Sequence, residues 1–250
     1  MLKSLSKQPF LRAFYRRWWE YNYGVKQSDV FLVSYPRSGN TWIRFMLLQA
    51  RPDFDESDFQ RINEIIPDMH GNLTWFECRR TNLVKSHLTY WQPFRRVIYL
   101  VRDGRAATHS NWRYQRDEGR FQGSFEEFLQ NPHWPSTWSE HVSGWTQASE
   151  TQLVVRYEDV LSHPQEQLIR IAELLGWPLT PARAEEIIAN STKEKMRALE
   201  SIQGIPLHRV GAGIDEKLHS IFTGSLDRLF NSTLNAASEK YLQPAGIIMP

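Results

Sequence analysis

Short runs of apolar residues alternate with longer stretches in which apolar positions recur at helical spacing. Val30-Phe31-Leu32-Val33-Ser34 is a continuous apolar run, the pattern of a parallel strand covered on both faces. A Pro- and Gly-bearing turn follows, and Thr41 to Ala50 then carries apolar residues at helical spacing, which predicts strand, loop and helix. Asn82 to Lys85, Val97 to Val101 and Leu153 to Tyr157 predict three more strands. Helices are predicted from Arg105 to Tyr114, and from His163 to Leu175 with a stop at Gly176 and Pro178. Another opens at Thr180-Pro181 and runs to about Ala189. This alternation predicts an α/β fold: a single domain with a mostly parallel central sheet and helices on both faces. Ligands of such sheets sit outside the carboxyl ends of the strands, so the chemistry is expected just after residues 34, 85, 101 and 157.

Composition narrows the classes. The 250 residues include ten tryptophans and 13% aromatic residues, too much apolar payload for a disordered chain. The lone Cys78 excludes a disulfide framework and a cysteine-built zinc site, and it agrees with a reducing cytoplasm. No stretch approaches the roughly 20 apolar residues of a membrane span. The net charge is +2, which argues against a broad nucleic-acid surface. Residues 1–23 hold five cations, Lys3, Lys7, Arg12, Arg16 and Arg17, against Glu20, leaving −2 over the rest. Arginines interrupt every apolar run there, so the segment does not read as a secretory signal. We read 1–27 as a basic aromatic helix packed on the domain, with peripheral membrane contact through its cations as the other reading, and 28–250 as one domain.

Candidate chemistry begins in the first loop, Tyr35-Pro36-Arg37-Ser38-Gly39-Asn40-Thr41-Trp42. A glycine and small polar residues opening a helix aim backbone N–H groups at an anion, where the helix dipole favours negative charge. The loop is P-loop-like, but it lacks the early glycine of nucleotide kinases, and Asn40 stands where their lysine would be. Arg37 brings a cation three residues earlier. After the third strand, Arg102 and Ser110 lie eight residues apart, a guanidinium fork and a hydroxyl suited to a second phosphate. A plain Arg102–Asp103 surface ion pair is the bland alternative. Lys85 and His87, two apart at a strand end, point to one side of an extended chain and so towards the same crevice.

These features in this order resemble the sulfotransferases that use 3′-phosphoadenosine 5′-phosphosulfate (PAPS), in particular cytosolic-type and bacterial-like members. The first loop is similar to that family's Tyr-Pro-Lys-Ser-Gly-Thr-Thr-Trp, and Lys85-Ser86-His87-Leu88 to its Lys-Thr-His-Leu. Arg102 and Ser110 have the spacing of its 3′-phosphate clamp, and Tyr157-Glu158-Asp159 resembles the segment beside its adenine. Arg209-Val210-Gly211, with Lys217 eight residues after Arg209, is similar to its C-terminal phosphate loop. The resemblance spans roughly residues 28 to 225. Arg37 and Asn40 replace a lysine and a threonine of the pattern, Val210 replaces a basic residue, and Lys193, after Ser191-Thr192, replaces an adenine-packing Phe.

The resemblance implies a transferase, metal-independent, moving the sulfuryl group of PAPS by in-line displacement to an acceptor hydroxyl or amine and leaving 3′,5′-ADP (PAP). His87 would be the general base, with Lys85 and Arg37 beside the transferred group. Arg37, Ser38, Gly39, Asn40, Thr41 and Trp42 would cradle the 5′-phosphate, and Arg102, Ser110, Arg209 and Gly211 would hold the 3′-phosphate. Tyr157 and Ser191 would border the purine with Trp42. The acceptor would be a small molecule, glycan or lipid bearing a hydroxyl, not a nucleic acid. Trp75, Phe76, Tyr90 and Trp91 flank the base and are read as pocket residues, whereas Trp112, Trp134, Trp138, Trp145, His133 and His141 read first as core. The competing readings are a P-loop nucleotide or small-molecule kinase and an inactive PAP- or PAPS-binding module.

Overall fold

β1 (Val30–Ser34) and β3 (Val97–Val101) are buried along their whole length, because each has helices on both sides. In the computed structural model, residues 25–69, 81–90, 94–131, 135–203 and 221–242 are described. With β2 (Leu83–Ser86) and β4 (Thr151–Arg156) they form a sheet in the order β2-β1-β3-β4, and every pairing is parallel. Register is set by pairs such as Leu32 with Lys85 and Ile98, so the carboxyl ends of the four strands share one edge.

Alternate residues of each strand serve opposite layers. Val30 and Leu32 pack with the apolar stripes of α1 (Asn40–Gln49), α2 (Ile62–Ile65), α7 (Pro164–Leu175) and α8 (Pro181–Asn190). Phe31 and Val33 pack on the other layer. It comprises α3 (Gly104–Asp117), α4 (Phe125–Gln130), α5 (Trp138–Thr146) and α10 (Gly224–Asn231). A short α6 (Tyr157–Ser162) follows β4, α9 (Lys193–Gln203) follows α8, and α11 (Ala236–Glu239) closes the described chain.

Local rules place the helix ends. α7 starts with Pro164 and stops at Gly176 in the left-handed conformation, with φ 72°. Thr180 caps α8 by accepting from the Arg183 N–H, and Thr137 with Glu140 makes a capping box at α5. The expected strand through Tyr157 ends one residue earlier, because Tyr157 opens α6, and β2 is shifted by one residue to include Ser86. Trp138, Trp145 and His141 are core residues, as the commoner fate of buried aromatics suggested. Residues 1–24 lie outside the described residues, as do Trp75, Phe76, Trp91, His133, Trp134, Arg209, Val210, Gly211 and Lys217.

Candidate active site

The strand order puts a topological switch point between β1 and β3: α1 leaves β1 to one face of the sheet and α3 leaves β3 to the other. Loop 35–39 and the Arg102–Asp103 turn therefore border the same crevice. Two residues of the first loop are left-handed, Gly39 at φ 88° and Arg37 at φ 66°. Gly39 allows a close approach as well, since a Cβ there would lie 2.4 Å from the Tyr157 ring. Arg37 has no such excuse, and its backbone costs on the order of 1 kcal/mol. It is held in place from α3's side: Arg102 Nη1 donates to the Arg37 carbonyl at 2.9 Å, and Arg37 Nε donates to Ser110 Oγ at 3.3 Å.

This joins what the sequence kept apart. Arg37 was expected on the 5′-phosphate and Arg102 with Ser110 on a separate 3′-phosphate, but all three form one cluster. The Arg37 guanidinium also lies over the Tyr114 ring at 5.4 Å. Arg102 is buried and sits over Tyr157 at 4.8 Å from the ring centre, and its own carbonyl accepts from Trp138 Nε1. The bland alternative, an exposed Arg102–Asp103 pair, does not describe it. Asp103 instead caps α3 through the Ala106 N–H, and the Asp103 N–H donates to Glu158 Oε1 at 2.9 Å. Burial raises the Glu158 carboxyl above the ordinary range, against the lowering effect of that hydrogen bond. Glu158 thereby ties the turn after β3 to the start of α6.

Within the cradle, Ser38 is fully buried and its Oγ has no hydrogen-bond partner among the described residues. Asn40 and Thr41 occupy the first turn of α1, where N–H groups have no intrahelical acceptor. The Trp42 N–H is already given to the Gly39 carbonyl at 3.0 Å, so the cradle is one donor narrower than residues 38–42 suggested. Asn40 does not replace the kinase lysine: its side chain turns into the sheet, donating to Ser34 Oγ at 3.1 Å and to the Leu32 carbonyl. An unpartnered buried hydroxyl, a glycine under an aromatic ring and a helix N-terminus fit a bound phosphate or sulfate ester.

His87 stands at the end of β2, next to this cradle. Its Nδ1 lies 2.8 Å from the Ser34 carbonyl and 3.3 Å from Ser34 Oγ. A carbonyl only accepts, so Nδ1 carries the ring proton and Nε2 the basic lone pair. Lys85 belongs to β2 and is bridged at its backbone by Pro67 and Met69, while its ammonium pairs with Asp68. Asp68 also faces the buried Arg44 guanidinium, whose pKa burial pushes down to about 10. Asp68 was not anticipated beside the site, and Glu158 only as part of the Tyr157-Glu158-Asp159 segment. An acid 17 residues from its lysine leaves no local pattern, and only the bridge between 67–69 and β2 brings the two together.

Trp42 and Tyr157 meet edge to face at 6.1 Å between ring centres, and burial raises the Tyr157 phenol. The Ser191 hydroxyl is committed elsewhere, donating to the Ile187 carbonyl at 2.7 Å and accepting from Gln49 at 2.8 Å. Its carbonyl instead anchors Trp42 Nε1 at 2.9 Å. Tyr90 packs edge-on against Trp145 at 5.5 Å. Among the described residues, no three His, Cys, Asp or Glu side chains gather as metal ligands would, and no helix is long and apolar enough to cross a membrane.

Comparison with known proteins is consistent with this geometry. The sulfotransferase domain model matches residues 27–217. A flavonol 3-sulfotransferase of Flaveria bidentis is 24% identical over 236 residues, 81% of this chain and 73% of that protein. Sulfotransferase 1C2 of Oryctolagus cuniculus is 22% identical over 224 residues, 78% of this chain and 75% of that protein. Two solved structures share the fold. A mouse sulfotransferase complexed with PAP has a TM-score of 0.66 at 19% identity, covering 86% of this chain and 88% of that one. A retinol dehydratase in complex with retinol and PAP has a TM-score of 0.61 at 18% identity, covering 94% of this chain and 88% of that one. With the family model matching well over half of the sequence, the chain belongs to the sulfotransferase domain family.

Proposed function

We propose that this protein transfers a sulfuryl group from PAPS to the hydroxyl of a small-molecule acceptor, with His87 as general base. The observation that carries the assignment is the 2.8 Å contact between His87 Nδ1 and the carbonyl of Ser34, four residues before the unpartnered Ser38 hydroxyl. It sets the tautomer of the base and ties that base to the strand from which the anion cradle springs.

PAPS, when bound, supplies an activated sulfuryl group and a 5′-phosphate leaving group. The protein's residues do the rest. His87 Nε2 takes the acceptor's proton, and the imidazolium so formed keeps its Nδ1–H on the Ser34 carbonyl, which stabilises the charge. Ser38 Oγ, the N–H groups of Asn40 and Thr41 and the α1 dipole stabilise negative charge on the 5′ side. Lys85 brings a cation to the same strand end as His87, with Asp68 fixing its direction. Arg102, Ser110 and Arg37 form the 3′-phosphate clamp, and Trp42 with Tyr157 flanks the purine. Arg209 and Gly211 would complete the clamp. The kinase reading is not favoured: the loop has no phosphate-binding lysine, and Asn40, which stands at that position, is turned into the sheet. Flavonols and retinol are named for relatives, and a hydroxyl-bearing small molecule is the acceptor class assigned to this chain. A cytoplasmic location agrees with a single cysteine.

The nucleotide assignment is tested by calorimetry on the wild-type protein. We expect 3′,5′-ADP to bind about 10 to 100 times more tightly than 5′-AMP, the yield of one or two added charge-assisted hydrogen bonds. EDTA should leave both affinities unchanged. Equal affinities would overturn the clamp, and a requirement for magnesium would overturn the metal-independent reading.

A further inference from the structure

The segment that follows β2 is held by side chains of α5. His87 and Leu88 come after the last strand residue, Ser86, and their carbonyls need partners from outside the ladder. His141 and Trp145 lie four residues apart on α5, and so on one face of the helix. Both are fully buried. His141 Nε2 meets the His87 carbonyl at 3.1 Å, and Trp145 Nε1 donates to the Leu88 carbonyl at 2.8 Å. Gly144 between them lets α5 come close, since a Cβ there would lie 2.8 Å from the Tyr90 Cβ.

Behind His141 stands the fully buried Tyr99 of β3, its hydroxyl 2.8 Å from His141 Nδ1. Every proton in this chain of bonds is determined. The His87 carbonyl only accepts, so His141 Nε2 carries the proton, Nδ1 is an acceptor, and the Tyr99 hydroxyl donates to it. Burial pushes the His141 imidazole down to about 4, which keeps it in this neutral form around neutral pH.

We propose that His141 and Tyr99 are positioning residues for His87: the Tyr99 hydroxyl sets the His141 tautomer, and His141 pins the main chain of His87 through its carbonyl. The proposal rests on the reading of His87 as base. Two anchors then hold that residue, α5 at its backbone and the Ser34 carbonyl at its ring. With the first removed, the imidazole pivots on the second, and a base misplaced by about 1 Å costs about 100-fold in rate.

The test compares His141→Leu, His141→Gln and Tyr99→Phe with wild type and with His87→Ala. Turnover is expressed per site able to bind 3′,5′-ADP, so that loss of folded protein does not count. His141→Leu should lower kcat about 30- to 100-fold, with 3′,5′-ADP affinity and acceptor KM changed less than about 3-fold. His141→Gln, whose amide can donate to the same carbonyl, should recover most of the loss. Tyr99→Phe, which removes one oxygen and keeps the ring, should lower kcat several-fold. A His141→Leu enzyme with unchanged kcat per binding site overturns the proposal, as does a Gln variant no better than Leu. If His141→Leu fails to fold, unchanged kcat in Tyr99→Phe overturns it. The two levels separate cleanly: retained turnover in His87→Ala sinks the base reading itself, whereas loss there with full kcat in His141→Leu sinks only the positioning role.

Discussion

His87→Ala is expected to lower kcat about 1,000-fold at saturating PAPS while leaving the affinity for 3′,5′-ADP within about 2-fold, the range for loss of a positioned general base. The separation follows from the bonding. The Nδ1 of His87 meets the end of β1, at the Ser34 carbonyl and hydroxyl, whereas Arg37 is tied to Arg102 and Ser110 on the other side of the switch point. Removing the imidazole therefore takes away the proton acceptor and leaves the nucleotide cradle standing. Ser34 Oγ keeps its bond from Asn40, which spares the loop. Turnover within about 10-fold of wild type would mean that another group accepts the proton.

Arg102→Ala is expected to weaken 3′,5′-ADP by about 10- to 100-fold, the loss of one or two charge-assisted hydrogen bonds, and 5′-AMP by much less. The proposed clamp gives Arg102 two roles. Its buried guanidinium, over the Tyr157 ring, would offer donors to the 3′-phosphate, and its Nη1 supports the left-handed Arg37 through the carbonyl. Both nucleotides report the second role, and only 3′,5′-ADP reports the first. The ratio of the two losses isolates the phosphate contact. Equal losses would reduce Arg102 to a brace for the loop.

The sheet was legible in the sequence where both faces of a strand are covered. Val30 to Ser34 and Val97 to Val101 are unbroken apolar runs because α1 and α7 lie on one side and α3 and α5 on the other. The end of β4 was not legible, because α6 begins at Tyr157 without a side-chain cap, and Arg156-Tyr157 reads as a continued strand. The anion loop and the strand-end histidine were visible as motifs. Their connections were not, since they depend on the order in which strands sit side by side. Arg37 meets Ser110 across 73 residues, Lys85 meets Asp68 across a bridge with no strand signal, and His141 reaches the base from a helix 54 residues away. Periodicity identifies His141 as core, and only its two bonds give that core residue a task. Ser191 shows the reverse: a motif position suggested ligand contact, and the fold uses its hydroxyl to join α8 to α1.

The activity proposed for this protein is sulfuryl transfer by the cradle and His87 together. It is tested most directly by incubating the protein, in EDTA, with sulfur-labelled PAPS and a panel of phenols, steroid alcohols and glycans, following label and 3′,5′-ADP in the same samples. Label is expected on at least one acceptor in one-to-one proportion with 3′,5′-ADP released, and both about 1,000-fold slower in the His87→Ala protein. Tight binding of 3′,5′-ADP with no labelled acceptor across the panel would contradict it and leave a nucleotide-binding module in its place.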